Sequence, residues 1–113
     1  MKTILIVEDE TDIQELLRTY LEDAGYQTAA AGDGVTALAL FNAQHFDLVL
    51  LDLMLPKMNG FSVCEAIRKE SQVPIIMLTA LDDDASQMKG FDALADDYIT
   101  KPFSMPLVVK HIE

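Results

Sequence analysis

Short apolar segments alternate with segments of helical periodicity along the whole chain, and this alternation restricts the possible folds more than any other feature. The first segment, Thr3–Val7 (TILIV), is too short for a helix and too uniformly apolar for a half-exposed strand, so it predicts a buried parallel strand. Further strands are predicted at about 27–31, 48–51, 75–78 and 97–100. Five strands with helices between them imply right-handed crossovers and a doubly wound parallel sheet covered on both faces, an α/β fold.

The segments between the predicted strands have the spacing of amphipathic helices. In the first, apolar residues recur at i, i+3, i+4 and i+7 from Ile13. Asp12 and Glu15 have the spacing of a capping box, and Gly25 is placed to end the helix. No repeat or linker divides the sequence, so one domain over 1–113 is expected. The other helices are predicted at about 34–43, 61–70 and 84–93, and from about 105 to Glu113, where the last helix is still running as if the chain were truncated.

The charge balance excludes several classes of partner. Nineteen Asp and Glu against eight Lys and Arg give a formal charge of -11, which repels nucleic acid phosphates and anionic membranes. The single cysteine, Cys64, excludes an intramolecular disulfide, and its apolar neighbours at helical spacing predict a buried thiol in a reducing compartment. No apolar run approaches the roughly 18 residues of a membrane span, and no signal peptide is evident. We therefore expect a soluble cytoplasmic protein whose domain binds neither nucleic acid nor membrane.

Polar side chains follow four of the five predicted strands. Glu8 and Asp9 follow the first strand, and Asp52 follows the third. Because parallel sheets bind ligands at the carboxyl ends of their strands, these carboxylates are expected to lie close together and to need protons or a cation. Oxygen ligands without His or Cys favour Mg²⁺. With Thr79 after the fourth strand and Lys101 after the fifth, the edge becomes a place where a phosphoryl group is transferred and held.

Each of these residues also has a purely structural interpretation. The acidic residues from Glu8 to Asp12 suit the positive end of a helix dipole. Asp52 alone is also a typical turn residue, and Lys101 alone a surface lysine. The acidic run at 82–84 is interpreted as a solvated helix start. Placement at successive strand ends favours the functional interpretation.

Four strings resemble the receiver domain of two-component response regulators, and together they cover essentially the whole chain. The strings are ILIVEDE (4–10), FDLVLLDLMLPKMNG (46–60), PIIMLTA (74–80) and DDYITKPF (96–103). The last most resembles the subfamily whose receiver is followed by a winged-helix DNA-binding domain. The resemblance implies a flavodoxin-like (βα)5 three-layer sandwich with strand order 2-1-3-4-5, and an effector domain after residue 113 that binds DNA in the full-length protein.

The resemblance also implies a role for each site residue. Asp52 is the expected phosphoacceptor, loaded by a partner sensor histidine kinase. It forms the Mg²⁺ site with Glu8, Asp9 and the backbone carbonyl of Met54. Lys101 is expected to pair with the bound phosphoryl group, and Thr79 is expected to donate a hydrogen bond to it. Tyr98 is the expected aromatic switch.

Residues beside the expected phosphoryl group bear on its lifetime. Met54, Ala80 and Leu81 would flank it according to the resemblance. Met54 and Leu81 are apolar and cannot orient an attacking water, so slow self-dephosphorylation is expected. The resemblance also implies a cis Lys101–Pro102 bond.

A phosphorylation-promoted homodimer is expected through the face formed by the predicted helix at 84–93, the fifth strand and the last helix. The sequence departs from the subfamily at Leu107 and His111, where charged interface residues are frequent, and at Leu94, where glycine is frequent. Paired charges for this face remain at Lys89, Asp96, Asp97 and Lys110.

Three other functions fit the sequence less well than that of a regulatory, non-enzymatic phosphoacceptor domain. A haloacid-dehalogenase-like phosphatase needs a second Asp two residues after the nucleophile, where this chain has Met54. In a flavodoxin-like flavin carrier, the first loop cradles a phosphate, which Glu8, Asp9 and Glu10 would repel. A phosphorylation-independent interaction module would not need the full set of acidic, hydroxyl and lysine residues.

Overall fold

The structure, a computed structural model, describes residues 2–52, 60–80, 97–101 and 105–112. Its elements are β1 (Thr3–Val7), α1 (Thr11–Asp23), β2 (Gln27–Ala31), α2 (Gly34–Ala43), β3 (Leu48–Asp52), α3 (Gly60–Arg68), β4 (Ile75–Ala80), β5 (Asp97–Lys101) and α4 (Met105–Ile112). The five strands form one parallel sheet in the order β2-β1-β3-β4-β5, which confirms the expected fold and strand order. The helix predicted at about 84–93 lies outside the described residues. None of the described helices combines the length and apolar character needed to cross a bilayer.

The sheet has a hydrophobic cluster on each face, because side chains alternate along the strands and both faces are covered by helices. Under α2 and α3, the buried strand residues include Leu5, Val7, Val49, Leu51 and Met77. Under α1 and α4, they include Ile4, Ile6, Leu50, Ile76 and Leu78. Cys64 of α3 is fully buried in the first cluster, as predicted.

The start of α1 differs from its prediction. Glu10 is the N-cap residue, with extended backbone and no side-chain cap hydrogen bond, and Asp12 lies inside the first turn. The carbonyl of Glu10 already accepts the Gln14 N–H at 2.9 Å, so the helix begins before Asp12 is reached. The predicted capping box of Asp12 and Glu15 is therefore wrong.

The end of α1 agrees with its prediction. Gly25 has φ of +99°, a left-handed conformation that glycine adopts without steric cost. The Gly25 N–H donates to the Glu22 carbonyl at 3.1 Å, and the Tyr26 N–H donates to the Leu21 carbonyl at 3.0 Å. This pair of hydrogen bonds is a Schellman motif, which ends the helix and turns the chain toward β2.

Strands β3, β4 and β5 extend further at their carboxyl ends than predicted. Asp52, Thr79 and Lys101 were expected to follow their strands, but each lies within one. The parallel ladder continues through them, since Asp52 is paired with Leu78, and Thr79 with Thr100. These positions thus have the fixed backbone of a sheet rather than that of a loop.

Candidate functional site

The structure brings together the three carboxylates that the sequence places at the strand ends. Val7 pairs with Leu51 in the β1–β3 ladder, so Glu8, the next residue, lies beside Asp52. One carboxylate oxygen from each of Glu8, Asp9 and Asp52 lies within 4.8 Å of the other two. The site therefore lies at the carboxyl ends of the adjacent strands β1 and β3.

Two of these carboxylates are removed from solvent. Glu8 is fully buried and Asp52 is 2% exposed, whereas Asp9 is exposed. Two unit negative charges this close repel by on the order of 3 kcal/mol at an effective dielectric near 20. A cation among the three oxygens would remove this repulsion.

The donor set and its spacing fit Mg²⁺. All three ligands are carboxylate oxygens, which a hard divalent ion prefers. Oxygens at the Mg²⁺ bonding distance of about 2.1 Å lie about 3 Å apart when adjacent and about 4.2 Å apart when opposite. The three carboxylate oxygens lie within 4.8 Å of one another, close to these separations.

Hydrogen bonds from the start of α1 orient Glu8. The Glu10 N–H donates to Glu8 Oε2 at 3.0 Å. The side-chain amide of Gln14 donates to the Glu8 carbonyl at 2.9 Å and to the Ala31 carbonyl at 3.4 Å. Sequence reasoning did not single out Gln14. Its only signal is a polar residue in the first helical turn after the acidic segment.

Comparison with known proteins identifies the family. The sequence profile of the response regulator receiver domain matches residues 4–113. The chain belongs to this family. It is a regulatory receiver domain of two-component signal transduction, and it functions in a phosphorelay.

Relatives of this receiver domain include named transcriptional regulators. It is 50% identical over 103 residues to "Probable transcriptional regulator ycf27" of Cyanophora paradoxa, covering 91% of this chain and 43% of that protein. It is 44% identical over 110 residues to "Regulatory protein VanRB" of Enterococcus faecalis, covering 97% of this chain and 50% of that protein. The receiver domain thus spans half or less of the length of these relatives.

Solved structures agree with the fold. The chemotaxis protein CheY4 of Vibrio cholerae superposes with a TM-score of 0.92 at 32% identity. The match covers 99% of this chain and 96% of that one. The likeness therefore extends over the whole receiver domain.

The pairing of β4 with β5 gives the backbone positions of the other residues expected at the site. Thr79 and Ala80 end β4, and Lys101 ends β5 opposite Ala80. Tyr98 lies earlier in β5, opposite Met77. The receiver sheet therefore places Thr79, Ala80 and Lys101 at the same edge as Asp52.

The residues expected at the dimer face lie away from this edge or outside the described part. Asp97 begins β5, opposite Ile76, and Lys110 is exposed on α4. The expectations for Met54, Leu81, Lys89, Leu94, Asp96 and Pro102 fall outside the described residues.

Proposed function

We propose that Asp52 is the phosphoacceptor of this receiver domain and that a sensor histidine kinase supplies the phosphoryl group. The observation that carries the proposal is the position of Asp52 at the end of β3, within 4.8 Å of Glu8 and Asp9 in the carboxylate cluster. A carboxylate oxygen of Asp52 attacks the phosphorus of a phosphohistidine. A P–O bond forms, the P–N bond breaks, and the departing imidazole nitrogen takes up a proton.

Glu8, Asp9 and Asp52 would hold Mg²⁺ together with the backbone carbonyl of Met54. When bound, Mg²⁺ supplies positive charge beside the attacking carboxylate and the transferring group. The fit of the oxygen donor set to a hard ion supports this assignment.

Thr79 and Lys101 would hold the transferred group. The Lys101 ammonium pairs with one phosphoryl oxygen, and the Thr79 hydroxyl donates to another. Their support is the ladder that places both backbones at the edge where Asp52 lies.

The output is a changed surface rather than a released product. Thr79 moves toward the phosphoryl group and vacates space for the Tyr98 ring. This changes the face formed by segment 84–93, β5 and α4, through which a homodimer forms with Asp97 and Lys110 among its charges. Slow loss of the phosphoryl group, rather than turnover of a substrate, distinguishes the domain from an enzyme.

The full-length protein would be a cytoplasmic transcriptional regulator with a DNA-binding effector domain after residue 113. Two observations support this: relatives are named as regulators, and the receiver spans half or less of their length. The net charge of -11 is consistent with DNA contact by the effector rather than by the receiver.

Intact mass measurement after incubation with Mg²⁺ and acetyl phosphate tests the proposal. We expect a gain of about 80 Da that hydroxylamine removes, as for an aspartyl phosphate. Asp52→Ala and EDTA should each abolish the gain, whereas Asp23→Ala, at an exposed position of α1, should retain it. A gain that persists in Asp52→Ala would refute Asp52 as the acceptor.

A further inference from the structure

Gln14 connects α1 to the carboxyl ends of two strands. It lies in the first turn of α1 and is partly buried. Its Nε2 donates to the backbone carbonyl of Glu8 at 2.9 Å and, in a longer contact of 3.4 Å, to the carbonyl of Ala31. One side-chain amide thus contacts the ends of both β1 and β2.

Hydrogen bonds hold three groups of Glu8, and the one from Gln14 holds the third. The Glu8 N–H donates to the Ala31 carbonyl at 3.0 Å, and the Glu8 carboxylate accepts the Glu10 N–H at 3.0 Å. With the Gln14 contact, the backbone N–H, the backbone carbonyl and the carboxylate of Glu8 each have a defined partner. Of these three contacts, only the one between the Glu8 N–H and Ala31 depends on the pairing of β1 with β2, because the other two lie within residues 8–14.

The Glu8 carbonyl belongs to the peptide unit that joins Glu8 to Asp9, two of the three residues of the carboxylate cluster. Because a peptide unit is planar, fixing its carbonyl fixes the direction of the Asp9 N–H and of the bond to the Asp9 Cα. The orientation of this one peptide therefore sets the relative positions of a buried and an exposed carboxylate.

We infer that Gln14 is a positioning residue: it holds the Glu8–Asp9 peptide in the orientation that cation binding requires, and so raises the Mg²⁺ affinity of the site without contacting the ion. The inference rests on the proposed function, since it takes Glu8 and Asp9 as ligands. Groups that orient metal ligands through hydrogen bonds change metal affinity by about 10- to 100-fold when removed.

Gln14→Met tests the inference, because methionine has nearly the same length and helix propensity but no hydrogen-bond donor. Titration calorimetry should give an Mg²⁺ dissociation constant about tenfold higher than that of the unmodified protein. Phosphoryl loading from acetyl phosphate at saturating Mg²⁺ should remain near normal, because Asp52 is unchanged. Gln72→Met, at an exposed position before β4, is the matched control and should leave the affinity unchanged.

A second variant and a second measurement guard against a simple folding defect. Gln14→Ala should show the same loss of affinity, and urea unfolding establishes that each variant is folded. In the metal-free protein, the Asp9 amide resonance should shift in Gln14→Met, while the amides of α2 should not.

The possible failures are distinguishable. Equal Mg²⁺ affinity in the unmodified protein and a folded Gln14→Met variant would refute the role of Gln14 alone. Failure of the unmodified protein to bind Mg²⁺ would refute the proposed function and the inference with it.

Discussion

Thr3 and Asp47 hydrogen-bond to each other in both directions. The Thr3 N–H donates to Asp47 Oδ2 at 2.8 Å, and the Asp47 N–H donates to the Thr3 carbonyl at 2.8 Å. His45 lies 3.1 Å from the other carboxylate oxygen of Asp47. The hydrogen bond from Thr3, followed by that with His45, lowers the pKa of the Asp47 carboxyl below its ordinary value of 3.8. This contact fastens the start of β1 to the segment that enters β3, at the edge opposite the carboxylate cluster.

We expect Asp47→Ala to lower the melting temperature at neutral pH and to lower it less in acid. Because folding depresses the pKa of Asp47, its contribution is fully present above pH 3.8 and is lost as the pH falls through the lower pKa of the folded state. Thermal unfolding of both proteins between about pH 2 and pH 7 measures the difference. Asp23→Asn, at the exposed end of α1, is the control. A difference that does not change with pH would contradict the role of the ionised carboxylate.

Asp33 caps α2, since its Oδ1 accepts the Thr36 N–H at 2.7 Å. Asp33→Ala leaves that N–H without its cap and should lower the free energy of unfolding by about 1 kcal/mol. Urea titration at pH 7 measures this loss. Asp33→Asn keeps an oxygen acceptor and should retain most of the stability, so an equal loss in both variants would argue against capping.

Mg²⁺ should stabilise the receiver domain against heat, and this effect should depend on Asp52. Binding to the folded state alone adds about 2.7 kcal/mol at a concentration 100 times the dissociation constant. Asp52→Asn removes one of three clustered charges, so the metal-free variant should melt higher than the unmodified protein and respond less to Mg²⁺. Differential scanning calorimetry with and without Mg²⁺ tests both parts. An undiminished Mg²⁺ response in Asp52→Asn would exclude this carboxylate as a ligand.

The thiol of Cys64 should react with a maleimide only as fast as the protein opens, because the side chain is fully buried in α3. Labelling followed by mass spectrometry should be slow in buffer and fast in urea. In a Cys64→Ala background, Glu65→Cys places a thiol at the neighbouring exposed position and should react at once. Rapid labelling of the native Cys64 would show that α3 opens readily.

The phosphoryl group should be lost slowly, because Met54 and Leu81 are apolar and cannot orient a water for attack on phosphorus. A Met54→Asn, Leu81→Glu double variant introduces polar groups at both positions and should shorten the half-life of the phosphorylated protein. Intact mass at successive times after removal of the phosphodonor measures the decay. The same half-life in both proteins would remove the basis for this prediction.

Much of the fold was predictable because hydrophobic periodicity and turn residues act locally. The uniform apolar run of Thr3–Val7 and the glycine at Gly25 are signals contained in a few neighbouring residues. The carboxylate cluster was also predictable, since parallel strands bring their carboxyl ends to one edge and Glu8 and Asp52 lie at two of them.

The details of the site depend on contacts between distant residues, which local patterns do not contain. The amide of Gln14 reaches Ala31 only because β2 pairs with β1. The start of α1 differs for a local reason. The Glu10 carbonyl accepts the Gln14 N–H, so the helix has already begun where the Asp12 and Glu15 spacing would place its cap.

The sheet divides the domain into two compartments that share no buried residue among those described. Neighbours along a strand, such as Leu50 and Leu51, belong to different compartments. A change in packing beneath α1 and α4 therefore reaches α2 and α3 only through the strand backbone. Two substitutions more than about 7–10 Å apart, one in each compartment, should have additive effects on the free energy of unfolding. Receivers built on this plan can diversify one flank independently of the other, while both flanks continue to meet at the same acidic edge.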